Sequence, residues 1–306
     1  MKKPDPLKKG DTIALIAPSS PVTEEKMEAA LRSIEFLGLH PVPFPSCFMK
    51  NGYLSGTDEA RAKDVNDAFS DPSIRGVFCL RGGYGATRIL PLLDYENIKR
   101  HPKLFVGYSD ITALHTVLNR FCELVTYHGP MPSRGYYTMD RFSLESLSAA
   151  VFQSPPPGLI RNPPGEIIEV LCPGTARGQI TGGNLSVMAA ALGSKYEVDT
   201  KGKILFIEDV DELPYRIDRN LTALKLAGKL SDAAGIILGT FADIPEETGD
   251  PDMTLSLSQI FDQTICPLGI PTINNFRSGH IYPQITIPMG MYAELNATEG
   301  TVALMD

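Results

Sequence analysis

The chain has 306 residues, 43% of them hydrophobic and 21% charged, which is enough for two ordinary soluble domains, each with its own core. A net charge of −8, with no cluster of lysines or arginines, argues against a nucleic-acid or acidic-membrane partner. No apolar run approaches the roughly 20 residues needed to span a bilayer, and the lysine pairs of the N-terminal MKKPDPLKKGD lack the apolar stretch of a secretory signal.

Thr12–Ala17 reads as a first buried strand, broken by Pro18-Ser19-Ser20-Pro21. Thr23 is suited to cap a helix over EEKMEAALRSIEFLG, which Gly38 closes, and His40–Phe44 gives a second strand. A second helix is expected around Asp58–Phe69, then a strand at Gly76–Leu80 that runs into Arg81-Gly82-Gly83-Tyr84-Gly85. A helical run follows at Ala86–Leu93. Leu104–Val106 is an apolar strand that passes through Gly107-Tyr108-Ser109-Asp110 straight into a helix patterned by Ile111, Leu114, His115, Val117 and Leu118. Val125–Tyr127 is a further strand candidate, and helical patterning returns at Ser143–Phe152. Strands alternating with helices imply a mainly parallel sheet, whose working loops lie beyond the strands' carboxyl ends. RGGYG and GYSD both lie at such ends.

Two Pro-rich clusters, SPPPG and NPPG, mark a linker, dividing a first domain (1–153) and a linker (154–166) from a second domain (167–306). The second domain is expected to hold strands at Ile167–Leu171, Gly178–Thr181, Lys203–Ile207 and Ala234–Leu238. Its helices are expected at Leu185–Leu192, Tyr215–Ala227 and Leu255–Cys266. A β meander over QITIPMG, MYAEL and TVALM ends the chain.

A strand that turns sharply into a helix holds its turn residue exposed, with the first helical N–H groups aimed at whatever approaches it. Ser109 occupies that position, as a nucleophile elbow would require, although Ile111 stands where the usual second glycine would be; a simple helix cap is the competing reading. A serine nucleophile needs a base, a group to orient the base, and oxyanion donors. His40, His101 and His115 are set aside as strand, charged-loop and packing residues, which leaves His128 and His280 as equal candidates for the base. Glu208 directly follows the apolar strand KILFI and is the candidate orienting carboxylate; a solvated acidic turn over EDVDE is the alternative. The same cluster lacks the alternating ligand loop of a cation site. Gly82 and Gly83 would let bare amides face Ser109, with the amide of Asp110 as a second donor. RGGYG is too short and differently spaced for a nucleotide-phosphate loop. The five cysteines are scattered, with no CxxC pair, which suggests neither a zinc site nor a disulfide framework and fits a reducing compartment. Cys79 reads as a small core residue.

Taken together, IAPSSPV, RGGYG, GYSD, GGN, IEDVDE and SGH, in this order over nearly the whole chain, resemble the LD-carboxypeptidases, serine peptidases of murein recycling whose relatives include the microcin C immunity proteins. The resemblance implies a Ser109–Glu208–His280 triad, with Ser109 as nucleophile, Glu208 orienting the base and His280 as general base and acid. It also implies an oxyanion hole from the amides of Gly83 and Asp110. It implies an α/β fold, with a flavodoxin-like N-terminal domain similar to class I glutamine amidotransferases and a smaller β-rich swivelling-barrel-type C-terminal domain, the active site lying between them. A cytoplasmic homodimer without metal or organic cofactor is implied, acting on murein tetrapeptide to release terminal D-alanine. A microcin-type immunity peptidase acting on peptidyl or aminoacyl nucleotide analogues is the alternative.

Overall fold

A computed structural model describes residues 1–153, 158–244 and 253–305; residues 154–157, the start of the expected linker, lie outside the described residues. The chain divides into two compact units, Met1–Pro155 with Ile285–Gly290, and Pro156–Gln284 with Met291–Asp306.

In the first unit, β1 (Thr12–Ile16), β2 (His40–Pro43), β3 (Gly76–Cys79), β4 (Leu104–Gly107) and β5 (Thr126–His128) alternate with helices α1 (Glu24–Phe36), α2 (Asp58–Ser70), α3 (Ala86–Ile89), α4 (Tyr95–Arg100) and α5 (Thr112–Cys122), and α6 (Arg141–Phe152) follows. The expected elements are present, and their local causes are visible. Thr23 accepts from the Lys26 amide at the start of α1, and Gly38, at φ +74, follows its end. Thr57 caps α2 in the same way. The run expected to be helical over Ala86–Leu93 is one α turn followed by a 3-10 turn at Leu90–Leu92, since Pro91 has no N–H for an α-helical bond. β1, β3 and β4 are apolar almost throughout because both sheet faces are covered: Ile13–Ile16, Val77–Cys79 and Leu104–Val106 are fully buried. Each large side chain so buried contributes about 1.5–3 kcal/mol.

The second unit holds β6 (Gly158–Ile160), β7 (Glu169–Cys172), β8 (Thr175–Asn184), α7 (Leu185–Ala190), β9 (Ile204–Val210), α8 (Pro214–Leu226), β10 (Gly235–Ala242), α9 (Leu257–Thr264) and β11 (Thr272–Asn274). After β11 the chain lays β12 (Ile287–Met289) on the first unit, then returns to add β13 (Tyr292–Asn296) and β14 (Thr301–Leu304) to the second. The second sheet has the order β6-β14-β13-β8-β9-β10-β11-β7. β8 to β11 are parallel, whereas β13, β14, β6 and β7 are antiparallel to their neighbours. Leu205, Ile207, Ile236 and Leu238 pack against Leu185, Ile217, Leu221, Leu224 and Ile260 of the helices.

The tail is therefore not a continuous meander. Ile285–Gly290, expected within the second domain, belongs to the first unit, where β12 pairs antiparallel with β5. The first sheet runs β12-β5-β4-β3-β1-β2, parallel except for β12. β5 would otherwise present a row of unpaired backbone groups.

Candidate active site

The expected elbow is present in the first unit. β4 ends at Gly107, Tyr108 stays extended, and Ser109 takes φ +69, a left-handed conformation costly for a residue with a Cβ. A 3-10 turn at Ser109–Ile111 then enters α5. Ser109 is not a helix N-cap of the ordinary extended kind; it is the strained residue of the turn. Ile111 replaces the usual second glycine because the room is made on the other side. A Cβ on Gly107 would come within 2.8 Å of the Ile111 side chain.

The turn is braced by residues from neighbouring loops. Oδ2 of the buried Asp110 accepts from the Ser19 hydroxyl at 2.6 Å and from the Ala86 amide, at the start of α3, at 2.8 Å. Burial pushes the Asp110 carboxyl above its ordinary value, and those two bonds pull against the rise. The RGGYG turn closes on Ser20, whose amide donates to the Gly82 carbonyl at 3.4 Å and whose hydroxyl accepts from the Tyr84 amide at 3.1 Å. Gly82 is the residue pressed against the elbow. A Cβ there would lie 2.8 Å from Ser109 Cβ, 3.0 Å from its Oγ and 3.4 Å from the Asp110 nitrogen. Gly83 instead faces Ser20. Arg61, fully buried on α2, donates to the carbonyls of Pro18 and Gly85 and pairs with Asp58.

Behind the elbow, His115 is fully buried, as its packing role required. Its Nε2 lies 2.8 Å from the Gly107 carbonyl and its Nδ1 2.8 Å from Thr126 Oγ1. A carbonyl only accepts, so the proton sits on Nε2, and Nδ1 accepts from the Thr126 hydroxyl. Asn119 donates in turn to Thr126 Oγ1 at 3.1 Å and to the Met289 carbonyl of β12 at 3.3 Å. Burial depresses His115 to about 4. His128 is also fully buried, on β5, with its ring 5.8 Å from that of Tyr108. Its place is in the core beneath the elbow.

In the second unit, β9 carries Glu208 and Asp209 to opposite destinations, as strand alternation dictates. Glu208, fully buried, accepts from Nδ1 of His280 through Oε2 at 2.7 Å. An ionised carboxylate only accepts, so Nδ1 carries the proton and the basic lone pair lies on Nε2. Gly279 makes this contact possible: at φ +125, a Cβ there would fall 2.8 Å from Glu208 Oε2 and 2.7 Å from Thr240 Oγ1. Asp209 turns to the start of α7, accepting from Asn184 Nδ2 at 2.9 Å and from the Ser186 hydroxyl and amide at 2.7 and 3.0 Å. Burial raises its carboxyl, opposed mainly by Ser186. EDVDE is thus no solvated acidic turn at its first two positions.

Of the expected site residues, Ser109, Asp110 and the glycine pair lie together in the first unit, and Glu208 and His280 lie together in the second. Ser19, Ser20 and Arg61 carry no expectation as supporting residues. The PSSP break after β1 is the one local signal for the two serines. Among the described residues there is no group of three or more His, Cys, Asp or Glu side chains that could hold a metal ion. All five cysteines are free thiols, and Cys79 is fully buried. No described helix is long and apolar enough to cross a membrane.

A serine in a strained strand-to-helix turn with amides beside it, and a buried carboxylate–imidazole pair, are the components of acyl transfer. Comparison with known proteins gives the family: the LD-carboxypeptidase N-terminal domain matches residues 13–129, and the LD-carboxypeptidase C-terminal domain matches residues 177–295. The chain belongs to the LD-carboxypeptidase family. It is 40% identical to a probable murein peptide carboxypeptidase of Bacillus subtilis (strain 168), over 99% of this chain and 94% of that protein. A solved muramoyltetrapeptide carboxypeptidase from Oxalobacter formigenes superposes with a TM-score of 0.80 at 28% identity, covering 96% of this chain and 97% of its own. The microcin C7 self immunity protein MccF, in its wild-type apo state, gives a TM-score of 0.86 over 99% and 98% of the two chains, at 24% identity, a likeness of fold.

Proposed function

We propose that this protein is a serine carboxypeptidase that cleaves the L,D-peptide bond of murein tetrapeptide and releases the terminal D-alanine, in peptidoglycan recycling. The observation that carries the reading is Ser109 itself, held at φ +69 where β4 turns into a helix, against the bare face of Gly82. The family's carboxypeptidase relatives support the substrate class.

Ser109 Oγ attacks the carbonyl carbon of the L-configured centre, and His280 Nε2 takes the serine proton. Glu208 holds the imidazole in the tautomer this requires and steadies the imidazolium. The amides of Gly83 and Asp110 receive the oxyanion, a contribution of about 3 kcal/mol per donor in comparable hydrolases. Collapse of the tetrahedral intermediate breaks the C–N bond, and His280 returns the proton to the leaving amine of D-alanine. Water, deprotonated by the same imidazole, then attacks the acyl-serine ester and releases the tripeptide acid.

The same reading takes the first unit as flavodoxin-like, on its β5-β4-β3-β1-β2 parallel order, and the second as a swivelling-barrel-type domain. It takes the enzyme as a cytoplasmic homodimer. A microcin-type peptidase acting on nucleotide analogues ranks second, because a chain without tryptophan has only tyrosine and phenylalanine to stack on a base. The deciding experiment incubates the protein with murein tetrapeptide and follows loss of one D-alanine by mass spectrometry, with an aminoacyl nucleotide analogue in parallel. Turnover of the tetrapeptide that Ser109→Ala abolishes is the expected result. Undiminished turnover in that variant overturns the assignment of the nucleophile.

A further inference from the structure

An exopeptidase must distinguish a terminal carboxylate from a continuing amide, and this chain, at net −8, repels an anionic end unless a local cation receives it. The arginines near the elbow differ in how far they are committed. Arg61 and Arg88 both pair with Asp58. Arg81, the first residue of the RGGYG turn, is half-buried, and its Nη1 donates to the Pro21 carbonyl at 3.2 Å. Among the described residues no carboxylate lies within ion-pair distance of its guanidinium.

The turn sets where that guanidinium stands. Leu80 N–H donates to the Ile16 carbonyl at 2.7 Å, and Ser20 holds Gly82 and Tyr84 as described. Gly82 meets Ser109, and at the next residue a Cβ on Gly83 would lie 3.6 Å from Arg81 Nη2. One short, braced segment therefore carries both the bare backbone against Ser109 and a guanidinium fork without a carboxylate partner among the described residues. In an L,D-peptide the terminal carboxylate is separated from the scissile nitrogen by a single carbon. A receptor for it must therefore stand beside the nucleophile.

We propose that Arg81 is the specificity-determining residue for the free C-terminus, its guanidinium receiving the carboxylate of the leaving D-amino acid in a charge-assisted pair. The inference rests on the hydrolase reading of Ser109 and adds to it the group that makes cleavage exo-acting. The arginine of the His280 loop, Arg277, already has Glu166 at 3.7 Å and the Tyr282 carbonyl at 3.4 Å.

The test measures kcat/KM for two peptides with the same L,D bond, one ending in D-alanine and the other in D-alaninamide, on the wild type, Arg81→Gln, Arg81→Lys and Arg277→Gln. The wild type is expected to prefer the acid. Arg81→Gln is expected to lower the acid-to-amide ratio about 10²-fold, with Arg81→Lys between the two and Arg277→Gln retaining the preference. The amide peptide reports in each case that the variant is folded and competent. An undiminished acid preference in Arg81→Gln, its loss in Arg277→Gln alone, or a wild type indifferent to the two ends overturns the proposal. A wild type inert on both peptides overturns the hydrolase reading itself.

Discussion

Oε2 of Glu208 accepts a 2.7 Å hydrogen bond from Nδ1 of His280, whereas the next carboxylate, Asp209, is bound to the start of α7 by Asn184 and Ser186. Two adjacent acids thus have separable roles, and two isosteric substitutions separate them. On the proposed mechanism, Glu208→Gln removes the carboxylate that steadies the imidazolium and should lower kcat by about 10²–10⁴. Asp209→Asn weakens hydrogen bonds at a helix start and should cost about 1–2 kcal/mol in urea unfolding, with a much smaller loss of kcat. Steady-state kinetics and urea titration of both variants check the division; equal losses of rate would contradict it.

Gly82→Ala tests the closeness of the RGGYG turn to the elbow. Gly82 does not adopt a positive φ, so the added methyl acts only through its overlap with Ser109, at 2.8 Å from Cβ. Either the turn or the serine must move, and if Ser109 is the proposed nucleophile a displacement of that size should cost about 10²-fold in rate. Turnover of the tetrapeptide, compared with the wild type at equal folded concentration, measures it.

Strain at the elbow predicts an opposite movement of stability and activity. Ser109→Gly and Ser109→Ala both delete the hydroxyl, but only glycine is at ease at φ +69. Ser109→Gly should be the more stable of the two by about 0.5–1 kcal/mol, after the entropy that glycine adds to the unfolded chain. Parallel urea titrations of the two variants give the difference directly.

His115 predicts a pH dependence. Its folded value, about 4, lies below the 6.5 of an unhindered imidazole. Between those values the unfolded chain binds the extra proton and the folded chain does not. Stability from this group is therefore complete above about pH 6.5 and falls as the pH drops towards 4, by about 3 kcal/mol at most. Asp110 and Asp209, whose carboxyls are raised, act in the reverse sense, so the variant difference is the useful quantity. His115→Gln should unfold with a flatter dependence on pH between 4 and 6.5 than the wild type; parallel curves would contradict the buried neutral imidazole.

What could be read from the sequence was whatever a local signal encodes. Thr23 before two glutamates and Gly38 after the apolar stripe bound α1 closely, and the apolar Leu104–Val106 ended in a turn as expected. Four pieces of information were not local. β12 is three residues long, and alternation alone cannot say that its partner is β5 rather than the adjacent β13. Glu208 and Asp209 look alike in EDVDE, yet the parity set by Leu205 and Ile207 on the helix-facing side of β9 sends Asp209 to α7 and Glu208 the other way. His128 and His280 could not be ranked by composition. The structure buries the first under the elbow and hydrogen-bonds the second to a carboxylate. Arg61 gives no local signal, because a charged residue in a polar helix reads as solvated, and only its hydrogen bonds to the carbonyls of Pro18 and Gly85 give it a role.

The placement of β12 also has a consequence for how the chain comes to be folded. The strand that covers β5 is translated after nearly all of the second unit, so a nascent first unit emerges with one flank of its sheet open. A fragment ending at the Pro-rich segment would keep that defect permanently and be prone to edge-to-edge association. Excising the half that carries Ser109 for separate production would therefore call for grafting Ile285–Gly290 onto its end, or for a permuted chain in which that peptide precedes Met1.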